Sequence, residues 1–198
     1  IGRLKNSSIV IIVSNPVDVL TTIAQKIIKL PRNQIFGSGT SLDTARLKNK
    51  VARYLKVNTQ SVHGYVLGEH GDSEIAAWSS VSVGGMPIHH LIKERQVLDH
   101  LAESVKKEAY EIINRKGATF FGIAATMSDI IEAIVYDQNK VLPLSAHIEK
   151  WNGCGGVCIG VPAVLGRQGI VKVWPLELTM HEKIKFASSV ETIRKYLK

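Results

Sequence analysis

The chain has 198 residues, 45% of them hydrophobic, which is apolar material for one large domain or parts of two and argues against disorder. Lys and Arg outnumber Asp and Glu by 25 to 17, for a net charge of +8. The basic residues are interleaved with acids along 93–116 and 183–198, form no long block and have few aromatics among them, so a nucleic-acid surface is not expected. No apolar run is long enough to span a membrane, and two cysteines, Cys154 and Cys158, make no disulfide framework and fit a reducing, cytoplasmic compartment.

In chain order, "IVIIV" at 9–13 is a continuous apolar run without alternation, the pattern of a parallel strand covered on both faces. Ser14-Asn15-Pro16 ends it. Pro16 suits a helix start, and a helix is expected over about 17–30. After the turn "GSGTS" a second helix is expected over 42–56, followed by a short strand at 63–67 leading into "GEHGDS" at 68–73. A strand at 75–83 closes on Gly84-Gly85. A long helical region then runs over 88–116 to Gly117, and another over 120–136. Three strand-like runs, 141–149, 157–165 and 169–178, are separated by glycine-rich or polar turns, as antiparallel strands are. Thr179 is placed to cap a final helix over 180–197. A parallel sheet needs several strands and few precede residue 42, so its other strands are expected before Ile1, where the chain starts without Met.

Three polar clusters fall at element ends: Asn15, then Asp43 with Arg46 in "TSLDTAR", then His70 in "GEHGD". A guanidinium matches a carboxylate through two parallel hydrogen bonds, and an imidazole held by a carboxylate exchanges a proton near neutral pH. Asp43 and Arg46 would share a helix face. By spacing alone the bland readings are the commoner ones: a solvated Asp–Arg helix pair, a loop histidine without catalytic work, and an asparagine that serves a turn. His89-His90, or His63 with His70, lack partners at metal-ligand spacing, and no metal is expected.

The literal strings shift the balance. "IVIIVSNPVDVLT", "GSGTSLDTARLK", "VHGYVLGEHGDSEIAAWS" and "KGATFFGIA" occur in this order and, with "IGVPAVLGRQGI" and the final helix, resemble the lactate/malate dehydrogenase family over essentially the whole chain. The resemblance implies the end of a Rossmann-type parallel sheet followed by the family's C-terminal α+β domain. Residues 1–36 are then a remnant of the dinucleotide-binding domain, and 37–198 the substrate-binding, catalytic domain. It implies NAD as cofactor, pyruvate and lactate as substrates, and a homotetramer or homodimer.

By the same resemblance, His70 matches the catalytic proton donor/acceptor and Asp43 the aspartate that orients it. Arg46 matches the clamp on the substrate carboxylate, Asn15 the residue near the nicotinamide and substrate carbonyl, and Thr119 a small polar residue beside the substrate methyl. Ser38 and Ile123 match positions lining the nicotinamide pocket. Glu69 and Thr119 look like the lactate branch, whereas malate enzymes more often have Gly and Ser there. The residue that selects pyruvate over oxaloacetate lies upstream in the family, so malate or another L-2-hydroxy acid stays open. Lys48 and His63 match positions of an allosteric fructose 1,6-bisphosphate site, with Lys in place of the family's Arg, which removes the bidentate fork. No GxGxxG follows a strand, so little of the NAD site is expected here, and little or no turnover from this polypeptide alone. The rival expectation is a non-catalytic substrate-domain fragment that folds and self-associates.

Overall fold

The computed structural model describes residues 4–117 and 120–198. The first apolar run becomes β1, Val10–Ile12, and the helix after it is α1, Val17–Ile27, with Pro16 at its N-cap position. Strand β2, Ile35–Gly37, then lies parallel to β1, Val10 against Ile35 and Ile12 against Gly37. That strand was not expected. Its three residues are wholly buried, but so short an apolar stretch ending in glycine carries the local signature of a turn. Gly37 is needed there, because a Cβ would lie 2.6 Å from the Thr21 hydroxyl oxygen and push α1 off the strand.

Helix α2, Ser41–Leu55, follows. The single strand expected at 63–67 is instead two, β3 (Val62–His63) and β4 (Val66–Leu67), because Gly64 takes φ 142° and redirects the chain between them. The strand expected at 75–83 is likewise broken. Strand β5 (Ile75–Ala76) pairs with β4, a 3-10 turn covers Trp78–Ser80, and β6 (Ser82–Val83) pairs with β3 and with β7 (Met86–Pro87). The helical region from 88 divides at Ile92, whose extended backbone separates α3 (Ile88–Leu91) from α4 (Arg95–Lys116). Helix α5 spans Phe121–Val135.

Strands β8 (Lys140–Ile148) and β9 (Val157–Gly166) form an unbroken antiparallel ladder, and β10 (Gly169–Val173) turns back on β9. The last strand stops at Val173, short of the expected 178. Helix α6, Met180–Tyr196, starts at a capping box in which Thr179 and Glu182 each bond the other's backbone. The main sheet has the order β1-β2-β8-β9-β10, joined across its middle by Gly37 against Ser145. All ten residues of β9 are buried, since helices α1, α5 and α6 pack against it. A second apolar cluster joins α2, α4 and the β3–β6 hairpin through Leu47, Val51, Val62, Val81, Leu98 and Val105. The fold is an α/β arrangement, an end of parallel sheet continued by antiparallel strands. One sheet runs through both expected segments, and the boundary between 36 and 37 falls inside β2.

Candidate active site

Helix α2 carries the first two polar groups. Asp43 sits in its first turn, where a negative charge is favoured by the exposed N–H groups, and Arg46 is one turn on. Both are buried, Asp43 at 3% and Arg46 at 8% exposure, so the solvated-pair reading of this spacing does not hold. Arg46 Nη1 donates to Asp43 Oδ1 over 3.2 Å, and its Nε faces Glu108 on α4 at 3.7 Å. Lys50 also binds Glu108, at 2.8 Å, which neutralises that carboxylate from the solvent side.

The loop after β4 brings in the third group. Thr40, at the N-cap of α2, and Thr44 within it bond to the carbonyl and the N–H of Val66, so β4 is tied to the helix that carries Asp43. Gly68 then exchanges two 2.9 Å backbone hydrogen bonds with Gly160 of β9. A Cβ on Gly160 would lie 2.6 Å from the Gly68 carbonyl oxygen, so the approach requires glycine. From this anchor His70 is held at two points. Its backbone N–H donates to Asp18 Oδ2 at 2.8 Å, and its Nδ1 lies 2.6 Å from Asp43 Oδ2. Nδ1 is therefore the ring nitrogen engaged by the carboxylate, which leaves Nε2 as the one to exchange a proton elsewhere. Burial disfavours the imidazolium, but the hydrogen bond and charge of Asp43 outweigh it, with help from Glu74 and Asp18, and the pKa rises from 6.5 to about 9. At neutral pH the histidine carries its proton. The arrangement offers a charged acid beside a buried guanidinium.

Two buried carboxylates in this region were not singled out from the sequence. Asp18 lies inside α1 at 1% exposure, where burial raises its pKa from 3.8 to about 6. In "NPVDVL" it reads only as an acidic residue in a first helical turn. Glu74 is 7% exposed just before β5, and burial and the Asp43 charge raise its pKa. Its only sequence signal is a carboxylate directly before an apolar strand. One donor atom each from Asp43, His70 and Glu74 lie within 4.8 Å of one another, but His70 Nδ1 is already committed to Asp43.

The other residues singled out are more scattered. Asn15 is exposed at the carboxyl end of β1. Ser38 is buried just beyond β2, and its N–H bonds the Ile12 carbonyl, so the two residues stand at the ends of adjacent parallel strands. Ile123 is half-buried on α5, and Thr119 lies outside the described residues. Lys48 lies on α2 and His63 on β3. The Lys48 amine feels the charges of Lys140 and Asp129, while His63 is exposed on β3 and paired with Ser82. Cys158 is buried, its thiol held up at about 12 by that burial, and it is not a nucleophile at neutral pH.

A model of the lactate/malate dehydrogenase α/β C-terminal domain matches residues 40–198. The chain belongs to the lactate/malate dehydrogenase family. Within that family it is similar to L-lactate dehydrogenase 1 of Listeria monocytogenes, 47% identical over 191 residues, a match covering 96% of this chain and 61% of that protein. It is also similar to the L-lactate dehydrogenase of Kosmotoga olearia, 42% identical, with 97% and 62% covered. Among solved structures it superimposes on a lactate dehydrogenase from a Medee basin deep-sea metagenome library with a TM-score of 0.93 at 40% identity, covering 96% of this chain and 62% of that one. A ligand-bound minor L-lactate dehydrogenase from Enterococcus mundtii gives 0.91 at 42% identity, covering 94% and 61%. The chain thus spans about three-fifths of the length of these family members.

Proposed function

We propose that the chain supplies the proton-transfer and carboxylate-binding residues of an NAD-dependent L-lactate dehydrogenase. The observation that carries this is the buried Asp43 joined to both His70, at 2.6 Å, and Arg46, at 3.2 Å. Arg46 binds the substrate carboxylate through its planar fork, and Asp43 keeps the guanidinium from rotating away. Protonated His70, oriented through Nδ1, presents Nε2–H to the keto oxygen of pyruvate and gives up that proton as the oxygen becomes an alkoxide. Asp43 stabilises the imidazolium from which the reaction starts. In the direction of lactate oxidation neutral His70 takes the hydroxyl proton back. NADH, when bound, supplies the hydride.

The residues present fit the nicotinamide end of such a cofactor. Asn15 and Ser38 close the carboxyl ends of two adjacent parallel strands, where dinucleotides bind in open α/β sheets. No glycine-rich phosphate loop accompanies them. In this reading residues 1–36 belong with a dinucleotide-binding domain and 37–198 form the substrate domain. Thr119 and Ile123 then complete the pocket, Lys48 and His63 are candidates for a sugar-bisphosphate site, and the working enzyme is a cytoplasmic homotetramer or homodimer.

The test joins the chain to the nucleotide-binding segment of the Listeria relative and follows NADH oxidation with pyruvate. Pyruvate is expected to be turned over, and His70→Asn is expected to lower kcat about 10²–10⁴-fold. Undiminished turnover in His70→Asn would remove the acid/base assignment. On the chain alone, binding of pyruvate seen by NMR and weakened about tenfold or more by Arg46→Lys supports the clamp.

A further inference from the structure

We propose that Glu74 is the third member of a proton-sharing unit with Asp43 and His70, a positioning residue that acts through His70 rather than on the substrate. The inference rests on the acid/base reading of His70. Its basis is placement. A Glu74 carboxylate oxygen lies within 4.8 Å of a donor atom of His70 and of one of Asp43. The side chain is 7% exposed, held down because the next residues, Ile75 and Ala77, are drawn into the core. Among the described residues it has no ion-pair partner, whereas Asp43 has two.

The surroundings are mixed in charge. Asp43 and Arg46 face Glu74 from α2, His70 from the loop and Lys106 from α4. Asp18 of α1 also acts on His70, and Lys185 of α6 lines the same cavity as Glu74 and Lys106. That cavity, about 800 Å³, lies between α4 and α6, is lined by Glu74 and not by His70, and gives Glu74 a route to water. Two carboxylates and one imidazole this close cannot all change charge independently. With His70 protonated, an ionised Glu74 is favoured by the opposite charge. When His70 loses its proton, Glu74 is left beside the negative Asp43 and favours the acid form. The proton it takes comes from water in the cavity, and it returns there when the imidazole is protonated again. Ionised Glu74 therefore makes the imidazolium persist to higher pH, favouring reduction of the keto acid over oxidation of the hydroxy acid on the alkaline side.

The test is an NMR titration of the His70 ring in the full 198-residue chain, wild type against Glu74→Gln, with a thermal melt of each. Glu74→Gln is expected to weaken proton affinity at His70 at least about threefold, half a pH unit, and to turn a two-step curve into a single step. An unchanged midpoint in a folded variant overturns the inference. Should Glu74→Gln not fold, the wild-type Glu74 carboxyl is followed by infrared difference spectroscopy. A titration in step with His70 supports the proposal, and a single one in the ordinary carboxylate range overturns it. A failure here leaves the effect of His70→Asn on turnover untouched. A failure of the acid/base reading shows in that turnover whatever the titration gives.

Discussion

Asp43 organises the candidate site because it is the single group that touches both other players, and its removal separates them. Asparagine in its place keeps a similar shape but loses the charge that holds the proton on His70. The His70 midpoint in Asp43→Asn is expected to fall from about 9 toward the ordinary 6.5, read by NMR titration. Under the proposed function, pyruvate reduction by the chain joined to a nucleotide-binding segment, which needs the imidazolium, would then fail near neutral pH instead of near 9. The same shift acts on stability. A histidine whose folded pKa is raised contributes stability fully below 6.5 and loses it as pH rises through about 9. Thermal melts from pH 6 to 10 should fall across that window in the wild type and less in His70→Asn. Asp18 is the quieter neighbour. Alanine there would leave the His70 N–H without its acceptor, at a cost of about 1–3 kcal/mol in a urea melt.

At the scale of elements, the loop carrying His70 is clamped between three of them. Strand β9 grips it through Gly160, α2 through the Thr44–Val66 bond, and α6 through Ser189, whose hydroxyl accepts the Glu69 N–H at 2.7 Å. Gly160→Ala would force a Cβ against the Gly68 carbonyl and shift the whole loop, so it should lower both the melting temperature and the His70 midpoint. Thr179→Ala makes a useful contrast. It removes the cap of α6 and should cost about 0.5–2 kcal/mol by denaturant melt, while leaving the His70 titration unchanged because the cap lies several turns along the helix from Ser189. The Glu182 partner in the capping box came from the structure, while the Thr179 cap was legible in the sequence. The breaks at Gly64 and at Trp78–Ser80 were not, since a strand two residues long has no periodicity to read.

At the scale of the molecule, β1 is an edge strand with half-buried residues, although its composition is that of a strand covered on both faces. We propose that further parallel strands pair there when a dinucleotide-binding domain is present. The 198-residue chain alone is then expected to bind NADH weakly and turn over pyruvate slowly or not at all, while its His70 titration stays high. Fluorescence titration with NADH and a pyruvate assay check this. Tight NADH binding by the chain alone would show that the open edge and the missing glycine-rich loop do not limit the cofactor site.

The amino-acid sequence by itself determined the long elements and the ordered motifs, because helix periodicity, buried apolar runs and caps are local and because four strings in register identify a family. It also placed Asp43, Arg46 and His70 as the residues to watch. Only the tertiary structure decided that Asp43 and Arg46 are buried rather than solvated, and that β2 is a strand. It alone brings Asp18, from 52 residues away, to hold the His70 backbone, and Glu74 beside the pair. Burial, pKa and strand pairing depend on which distant segments exclude water from a group, and no local pattern around that group records them.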